Sequence, residues 1–434
     1  MMAKNRPEES LQNLMVYRVG EVFEPFAPWK RSEVGKQVYV KITRADEVAF
    51  IYVGHESNLR AELQQALMRL VNDGWSVEGE LLVSFDGRSE PGTDPYVYQD
   101  PLVVELGRGL LALADPQNGT PLVAQLEQTR EEVARDVGLV LPSVRVVDNM
   151  QLETQQYLIR IKGSPVSTGE LFLDRYLVVA PLEQLSSLEG WATQDPVHRL
   201  TAKWVEAAQK EKAESLGCLV LGPLSVMMTH IKSSILSACP ELLGLQETYD
   251  LIARLRHTHP VVVEDFLADR NHLRRVRRVL QSLLAERVPI RDLVTILETC
   301  GEYLDQLHRT DIVTEQCRNY LARQICATYL NQEGVLRGMA LGPLTEQVIL
   351  DSIHITERGA TLSLPPERVE ELLSAIKKAR EGQGFPPVIF TDPPTRAFVH
   401  RVIARAFPDL GVLSTSEIVP GIKVEVCGTI EGLK

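Results

Sequence analysis

Apolar and polar residues alternate over three short segments near the start of the chain, which is the pattern of half-buried β-strands. The three segments are residues 37–42, 48–53 and 77–85. Between the second and the third, Ser57 precedes leucines at helical spacing, and Asp73-Gly74 ends that stretch. The pattern therefore predicts a β-β-α-β unit. It follows a polar lead-in over residues 1–35 and ends at a linker rich in Gly, Pro and Asp at 86–95.

Further along, strand-like and helix-like patterns alternate before and after a long helical stretch. Strands are predicted at 102–106, 144–148, 157–162, 175–179, 218–221, 387–390 and 424–427, and helices at 122–137, 202–216 and 396–406. Nearly everything from 225 to 327 has helical spacing. The predicted fold class is α+β multidomain, with several small mixed α/β domains flanking a helical domain and the extra β-β-α-β unit in front.

Composition adds limits on partners and location. The 434 residues are 44% hydrophobic and carry a net charge of -12, which disfavours nucleic acid and anionic membrane as partners. No stretch of about 18 uncharged apolar residues occurs, so no direct membrane insertion is expected. None of the 6 cysteines forms a C-x-x-C pair, and most stand in apolar patterns, as reduced buried thiols do. These features predict a cytoplasmic protein.

The motifs of common catalytic sites are missing from the sequence. There is no G-x-S-x-G, Walker A loop or H-E-x-x-H, and the loose G-x-G-x-x-A at 107–112 is interpreted as a plain turn. His257 and His259 are spaced as metal ligands in a strand would be, but a basic helix end explains them as well. We therefore expect no catalytic residue, no metal and no cofactor.

Two further segments have both a structural and a binding interpretation. The basic run at 270–278 shares a helix with an apolar stripe, so its arginines form a solvated face or contact an acidic neighbouring subunit. Thr229-His230 lies among apolar residues of a helix, where a core role and a ligand-facing role are equally compatible with the pattern.

The segment Gln281-Ser-Leu-Leu-Ala-Glu-Arg-Val-Pro-Ile-Arg-Asp292 predicts a helix end, a turn and a second helix with Arg291 and Asp292 in its first turn. It resembles a signature of the FHIPEP family, the large export-gate proteins of flagellar and virulence type III secretion. Three more segments resemble that family in the same order. They are residues 138–163 with Leu141-Pro-Ser-Val-Arg-Val-Val-Asp-Asn149, residues 169–179 with Gly169-Glu-Leu-Phe-Leu-Asp-Arg175, and residues 195–231.

The resemblance covers residues 101–432 and implies a four-part module. Its first part would be 101–173 with 223–242, and 174–222 would be a second part inserted into the first. The helical third part would be 243–322 and the α/β fourth part 323–432. The β-β-α-β unit of residues 37–85 stands where the family has a membrane half, so the resemblance implies a soluble paralogue or split form.

The resemblance also implies a docking cleft between the first two parts. Asp195, His198 and Thr229 would contact export chaperones or secreted protein substrates, together with Arg175 and Tyr176 of the strand 175–179. Position 198, where the family often has an apolar aromatic residue, is His198 here. Asp195-Pro196 also has a local explanation, since this pair would open the turn before the predicted helix 202–216.

The leading hypothesis is accordingly a binding and assembly protein of a type III secretion-like system. It would form a ring by self-association and reach the inner membrane only through the secretion apparatus. One alternative is an orphan paralogue that acts as an adaptor outside secretion through residues 1–95. The other is an enzyme with an unrecognised site between the α/β parts.

Overall fold

The computed structural model divides into two compact units, residues 1–99 and 100–434, and each is described by itself. Backbone and side chains are described for residues 100–115, 121–356, 359–380 and 386–433. In the first unit the described parts are four strands, of which only the backbone is considered.

The first unit contains an antiparallel sheet with the order β1-β3-β2-β4. Its strands are β1 Met15–Arg18, β2 Gly35–Arg44, β3 Glu47–His55 and β4 Ser76–Phe85. The three predicted strands are confirmed. The interpretation of residues 1–35 as a lead-in was incomplete, because β1 pairs with β3 despite its polar neighbours. The predicted helix after Ser57 and the linker 86–95 lie outside the described residues.

The second unit begins with a sheet of order β6-β5-β7-β8, in which only the β5–β6 pair is parallel. Its elements are β5 Leu102–Leu106, a 3₁₀ helix Arg108–Leu113, α1 Pro121–Val137, β6 Arg145–Asp148, β7 Gln156–Ile161 and β8 Ser164–Glu170. Alternate residues of β5 and β7 are buried, among them Val104 and Tyr157. The apolar residues of the alternating pattern thus lie on the side of the sheet that faces the core.

A second sheet follows, antiparallel throughout, with the order β10-β11-β9-β12. Its elements are β9 Arg175–Val179, α2 Leu182–Leu185, β10 Trp191–Gln194, β11 Thr201–Glu206, a 3₁₀ helix Ala207–Gln209, α3 Lys210–Ser215 and β12 Leu219–Leu221. The predicted helix 202–216 is wrong in its first half. Residues 201–206 instead form a strand that pairs with both β9 and β10, and Trp204 and Val205 are residue types that favour strands.

The stretch predicted as helical is confirmed. It holds α4 Pro223–Leu242, α5 Leu245–Arg254, α6 Pro260–Ala268, α7 Arg270–Ala285, α8 Leu293–Glu302, α9 Thr310–Tyr320 and α10 Ala322–Tyr329, with 3₁₀ helices at Leu255–His257 and Leu304–Gln306. In α7 the apolar stripe is buried, including Leu273, Val276 and Leu280. Of the cysteines, Cys239, Cys300, Cys317 and Cys326 are buried, whereas Cys218 is half-buried and Cys427 is exposed.

The C-terminal part is a parallel sheet of order β17-β16-β13-β18, with a separate β14–β15 hairpin. Its elements are β13 Val335–Leu341, α11 Pro343–Asp351, β14 Ile353–Thr356, β15 Gly359–Leu362, α12 Pro366–Arg380, β16 Val388–Thr391, α13 Pro393–Ile403, β17 Gly411–Ser414, a 3₁₀ helix Thr415–Glu417 and β18 Lys423–Ile430. The helix predicted at 396–406 lies three residues earlier, because Pro393 occupies its first turn, where proline is favoured.

The signature segment 281–292 contacts several parts of the second unit. The Ile290 amide donates to the Val137 carbonyl at 2.7 Å, at the end of α1. Asp292 lies just before α8 rather than in its first turn as predicted, and its carboxylate accepts from the Thr295 amide at 3.3 Å. Asp292 is therefore the N-cap of α8. Among the described residues, no helix is long and apolar enough to cross a bilayer.

Candidate functional site

The loop between β10 and β11 is organised around Asp195, which is only 7% exposed. Its carboxylate accepts hydrogen bonds from the amides of Val197 at 3.2 Å and His198 at 2.6 Å. The backbone closes the loop with a bond from the Asp195 amide to the Leu200 carbonyl at 2.9 Å. Asp195-Pro196 therefore opens a hairpin loop, not the turn before a helix. In this position Asp195 fixes the shape of the 195–200 loop from within.

His198 and Thr229 are both exposed, one in this loop and the other on α4. The Thr229 hydroxyl donates to the Ser225 carbonyl one turn earlier, at 2.8 Å. The charge of Asp195 acts on His230, the next residue of α4. The Asp195 charge thus links the 195–200 loop electrostatically to this region of α4, although Asp195 itself is buried whereas His198 and Thr229 are exposed.

Tyr157 and His230 form a buried pair beneath this region. The phenol oxygen lies 2.7 Å from Nδ1 of the imidazole, and the rings meet edge to face with centroids 5.7 Å apart. Gly169 lies opposite Tyr157 in the β7–β8 pair, and a Cβ there would be 2.5 Å from the hydroxyl. His230 therefore has a satisfied core role. Sequence reasoning missed Tyr157, although its place in the alternating pattern of β7 marks it as buried.

The ionisation behaviour of this pair follows from burial. Burial raises the pKa of Tyr157, and the charge of Asp195 raises it further. Burial lowers the pKa of His230, as does the nearby Arg199, while Asp195 opposes both. At neutral pH the phenol is protonated and the imidazole is uncharged, so the hydroxyl donates to Nδ1.

Arg175 and Tyr176 follow each other in β9 and so point to opposite faces of the second sheet. The Arg175 guanidinium stacks on the Trp191 ring at 3.8 Å and pairs with Glu206 at 3.1 Å. Tyr176 packs with the small apolar cluster on the other face, and the Lys210 ammonium lies 5.0 Å from its ring. The structure brings Arg175 to the side of the sheet that faces α4, but it does not bring Tyr176 there.

Trp191 is an exposed aromatic residue that sequence reasoning did not single out. It is 50% exposed, and its ring meets Phe172 edge to face at 4.8 Å. Opposite it in the β10–β11 pair lies Trp204, which is buried. Leu200, in the same hairpin, is 53% exposed. The hairpin therefore presents apolar surface that nothing within the described residues covers.

A second polar cluster is buried between the helices and the C-terminal sheet. Arg396 is 0% exposed and binds Glu286 at 2.5 Å and Glu315 at 2.6 Å. Arg318 binds Glu286 at 2.9 Å and Glu417 at 2.6 Å. We call these five residues the ionic cluster. Glu286 belongs to the signature segment, so the motif that identifies the sequence also anchors the C-terminal part.

The charges in the ionic cluster compensate one another unequally. Burial alone would favour protonated Glu286, but the Arg318 and Arg396 guanidiniums hold its pKa at about 2. For Glu315, burial outweighs Arg396 and the pKa is raised. Burial likewise lowers the pKa of the adjacent His400, against the attraction of Glu286. The ionic cluster therefore has a structural role, since it connects the helices with the C-terminal part, and its geometry does not indicate a reaction.

The candidate metal pair gains no support from its surroundings. Near the 3₁₀ helix that ends at His257, the Nδ1 of His259 lies 2.9 Å from the Thr258 hydroxyl. In the ranges with described side chains, no group of three or more His, Cys, Asp or Glu residues is placed to hold a metal ion.

Comparison with known proteins places this arrangement in a family. Residues 80–423 match the FHIPEP family. The flagellar biosynthesis protein FlhA of Bacillus subtilis is 37% identical over 335 residues, which are 76% of this chain and 50% of that protein. The chain thus spans about half the length of the curated relatives it matches.

Solved structures agree in fold. The Chlamydia pneumoniae CdsV protein has a TM-score of 0.69 and 26% identity, covering 78% of this chain and 100% of that one. The nonameric SctV-C of EPEC has a TM-score of 0.63 and 24% identity, covering 79% of this chain and 100% of that one. With the fold, the sequence match and the motif positions in agreement, this chain belongs to the FHIPEP family of export-gate proteins.

Proposed function

We propose that this chain docks protein export clients, or the chaperones that carry them, on the cytoplasmic side of a secretion apparatus. The docking cleft is defined here as the 195–200 loop, Trp191 and the surface of α4 around Thr229. The observation that carries the proposal is the exposed apolar surface of the β10–β11 hairpin, with Trp191 and Leu200, in a chain of the FHIPEP family. Asp195, His198 and Thr229 enter it as the residues that the family resemblance singles out for docking.

The apolar side chains of the hairpin are suited to an anchoring role. Binding energy in interfaces concentrates in a few aromatic and arginine residues within a polar surround. Trp191, braced by Phe172 and stacked under Arg175, is such a residue. Since position 198 is a histidine, we propose that Trp191 and Leu200 take over most of the apolar contact.

A titration of Bacillus subtilis flagellar export chaperones, with and without cargo, onto the full chain tests this proposal. Trp191→Ala should weaken binding about tenfold, because it removes a large apolar contact. Leu344→Ala is the control, since Leu344 is 64% exposed on α11. Wild-type protein that binds none of these chaperones, or a Trp191→Ala variant that binds as tightly as wild type, contradicts the proposal.

Position 198 offers a test in the opposite direction. His198→Phe should strengthen chaperone binding by about tenfold, because it adds apolar area to an exposed position of the cleft. His354→Phe, at an exposed position of β14, makes the same change elsewhere. Calorimetry that gives equal affinities for His198→Phe and wild type would remove position 198 from the cleft.

We further propose that the chain assembles into a ring, as nonameric SctV-C does. Light scattering over a concentration series should reach a mass near nine times the 48.5 kDa of one chain. A monomer at every concentration would argue for a solitary adaptor, or for a ring that requires tethering to reach a high local concentration.

The four-part division remains our proposal for how the second unit is built. The inserted part, 174–222, has its own sheet and a small core around Val178, Leu185 and Val205. Limited proteolysis should therefore cut first near residues 173 and 222 and leave 101–173 associated with 223–242. Primary cuts inside β9 or β11 would contradict this division.

Binding rather than catalysis is also proposed. Thermal stabilisation across a set of metabolites tests it, because a ligand at 100 times its dissociation constant adds about 2.7 kcal/mol of stability. A metabolite that raises the melting temperature and is consumed would favour the enzyme hypothesis.

The first unit supports a second candidate, an adaptor role. Residues 1–99 form a compact unit of their own, and the family match begins only at residue 80. Removal of residues 1–95 discriminates between the two. Loss of the partners that the full chain retains in pull-downs favours the adaptor, whereas unchanged chaperone binding favours docking.

A further inference from the structure

A cavity of about 180 Å³ lies where α4, the end of α7 and the residues after α13 meet. The signature segment contributes Glu286 and Arg287 to its lining, α4 contributes Ser237, the end of α10 contributes Tyr329, and α13 contributes His400. Pockets for drug-sized ligands measure about 300–1,000 Å³, so this cavity has room only for a small ion or molecule. We call it the junction cavity.

The junction cavity is lined by hydrogen-bond donors that the protein does not use. The guanidinium of Arg287, which can only donate, forms no hydrogen bond or ion pair in the part of the chain that the structure describes. The hydroxyl groups of Tyr329 and Ser237 have no hydrogen-bond partner there either. Nδ1 of His400 lies 4.0 Å from the Glu286 carboxylate, beyond hydrogen-bond distance. A ligand that accepts hydrogen bonds would therefore satisfy several donors at once.

The two carboxylates that line the junction cavity are already compensated. Glu286 accepts hydrogen bonds from both arginines of the ionic cluster. Asp409 accepts from the Arg380 guanidinium at 2.7 Å. The charge of Arg287 is not committed to either of them, so it is available to a ligand. Since guanidinium groups bind oxyanions through charge-assisted hydrogen bonds, the ligand that complements this cavity is an anion.

Arg287 is held in a backbone conformation that favours glycine. Its φ is 58°, in the left-handed region, and it follows directly on the end of α7. Its amide donates to the Leu284 carbonyl at 3.0 Å, and the Val288 amide donates to the Leu283 carbonyl at 2.9 Å. Glycine would form the same helix end without the strain. The strain at Arg287 thus points to a role for its side chain rather than for its backbone.

We propose that the junction cavity binds a small tetrahedral oxyanion, with inorganic phosphate as the ligand. Arg287 supplies the compensating charge, and the hydroxyl groups of Tyr329 and Ser237 donate from the other walls. Donors on several sides suit a tetrahedral anion better than a planar carboxylate, which one arginine can satisfy by itself. The bound ion connects α4, the end of α7 and the α13 region, and so stabilises the folded chain. The junction cavity shares no residue with the docking cleft, so this inference goes beyond the proposed function and does not depend on it.

Calorimetric titration of sodium phosphate into the full chain, at constant ionic strength, tests the proposal. Arg287→Gly removes the cation and suits the left-handed backbone, so it should weaken phosphate binding by about tenfold or more. Without phosphate the variant should melt no lower than wild type, because the strain is relieved. Wild-type protein that binds no phosphate, or an Arg287→Gly variant that binds it as tightly as wild type, overturns the proposal.

Arg199→Gly is the matched control. Arg199 is also an exposed arginine, with a φ of 57°, but it does not line the junction cavity. The variant therefore undergoes the same change in charge and in backbone strain, and it should bind phosphate as tightly as wild type. Equal weakening in Arg199→Gly and Arg287→Gly would show that phosphate responds only to the net charge of the chain, which contradicts a site in the cavity.

A variant that leaves the charge unchanged decides the question if Arg287→Gly does not fold. Tyr329→Phe removes one donor from the junction cavity and should weaken phosphate binding about fivefold. Tyr320→Phe removes a hydroxyl that donates to Glu302 at 3.1 Å, outside the cavity, and should have no effect. A Tyr329→Phe variant with the phosphate affinity of wild type would overturn the proposal.

Other anions test the class of ligand. Sulfate, which is tetrahedral, should compete with phosphate, whereas acetate at the same ionic strength should not. Acetate that displaces phosphate would replace the tetrahedral oxyanion with a carboxylate as the ligand. O-phosphoserine that binds more tightly than phosphate would reject the free ion in favour of a phosphoryl group on a larger ligand. No export client or chaperone takes part in these titrations, so their failure would leave the proposed function standing.

Discussion

At the residue scale, several single residues have structural roles that no neighbouring residue can fill. Asp195 shapes a loop through two amides, Gly169 leaves room for a buried phenol, and Arg396 compensates two partly buried carboxylates. The partners of Asp195 lie within three residues of it, whereas the carboxylates that Arg396 binds are 81 and 110 residues away in the chain. For Arg396 the sequence therefore shows the residue type but not the reason for it.

Gly138 allows a sharp stability prediction. Its φ is 88°, and a Cβ would lie 2.5 Å from the backbone of Arg291 in the signature segment. Gly138→Ala should lower the free energy of unfolding by about 3 kcal/mol, because a rigid clash is added to the backbone strain. Urea denaturation provides the measurement.

Gly217→Ala separates the two contributions. Gly217 has a φ of 73°, but a Cβ there meets nothing within 4 Å. Gly217→Ala should therefore lower the free energy of unfolding only by the backbone strain, about 1 kcal/mol. Equal losses for the two variants would mean that the contact between Gly138 and Arg291 is unimportant.

At the element scale, helix ends follow local rules, whereas strands depend on their partners. Asp269 and Asp292 both cap helices through their side chains, as the capping rule anticipates. The prediction of a helix from residue 202 is wrong for β11, because the strand signal of Trp204 and Val205 is short and is followed directly by the helical stretch of α3. Its two neighbours in the sheet are contributed by residues before it in the chain.

The cap of α8 provides a prediction at this scale. Asp292→Ala should lower the free energy of unfolding by about 1 kcal/mol, because the Thr295 amide loses its acceptor and the helix dipole loses a nearby anion. Glu298→Ala removes an equal charge from an exposed position of the same helix, without a cap. Urea denaturation that finds no difference between the two variants would show that the cap contributes nothing.

At the scale of the whole molecule, the ionic cluster ties the C-terminal sheet to the helices. Arg396→Met leaves Glu315 without its arginine and Glu286 with Arg318 alone, both of them partly buried, so it should cost about 3–5 kcal/mol at pH 7. Arg337→Met, which breaks an exposed pair with Glu425 at 3.3 Å, should cost less than about 1 kcal/mol. Chemical denaturation of both variants measures the difference.

The pH dependence of that loss is a separate check. With Arg396 absent, protonation of Glu286 and Glu315 relieves the uncompensated charge, so the loss should shrink as pH falls from 7 to about 4. In the wild type the pKa of Glu286 is lowered to about 2, so its contribution is present above about pH 4.5 and is lost below that. A loss that stays constant with pH would assign the effect of Arg396→Met to packing.

Histidines add an earlier phase of acid destabilisation. Burial lowers the pKa values of His230 and His400 below their usual 6.5. The unfolded chain then binds more protons than the folded one, so stability is complete above about pH 6.5 and falls as pH drops below it. The buried His230 and the half-buried His400 therefore both lower the stability of the folded chain on the acid side of about pH 6.5.

The sequence by itself determined the fold class, the helical stretch and most strands, because hydrophobic periodicity and capping are local properties. It also determined the family, through motifs that are contiguous in the chain. Only the tertiary structure decided that β11 is a strand, that Arg175 rather than Tyr176 lies on the side of its sheet that faces α4, and that Tyr157 meets His230. Those outcomes depend on strand partners and contacts between residues far apart in sequence, which no local pattern encodes.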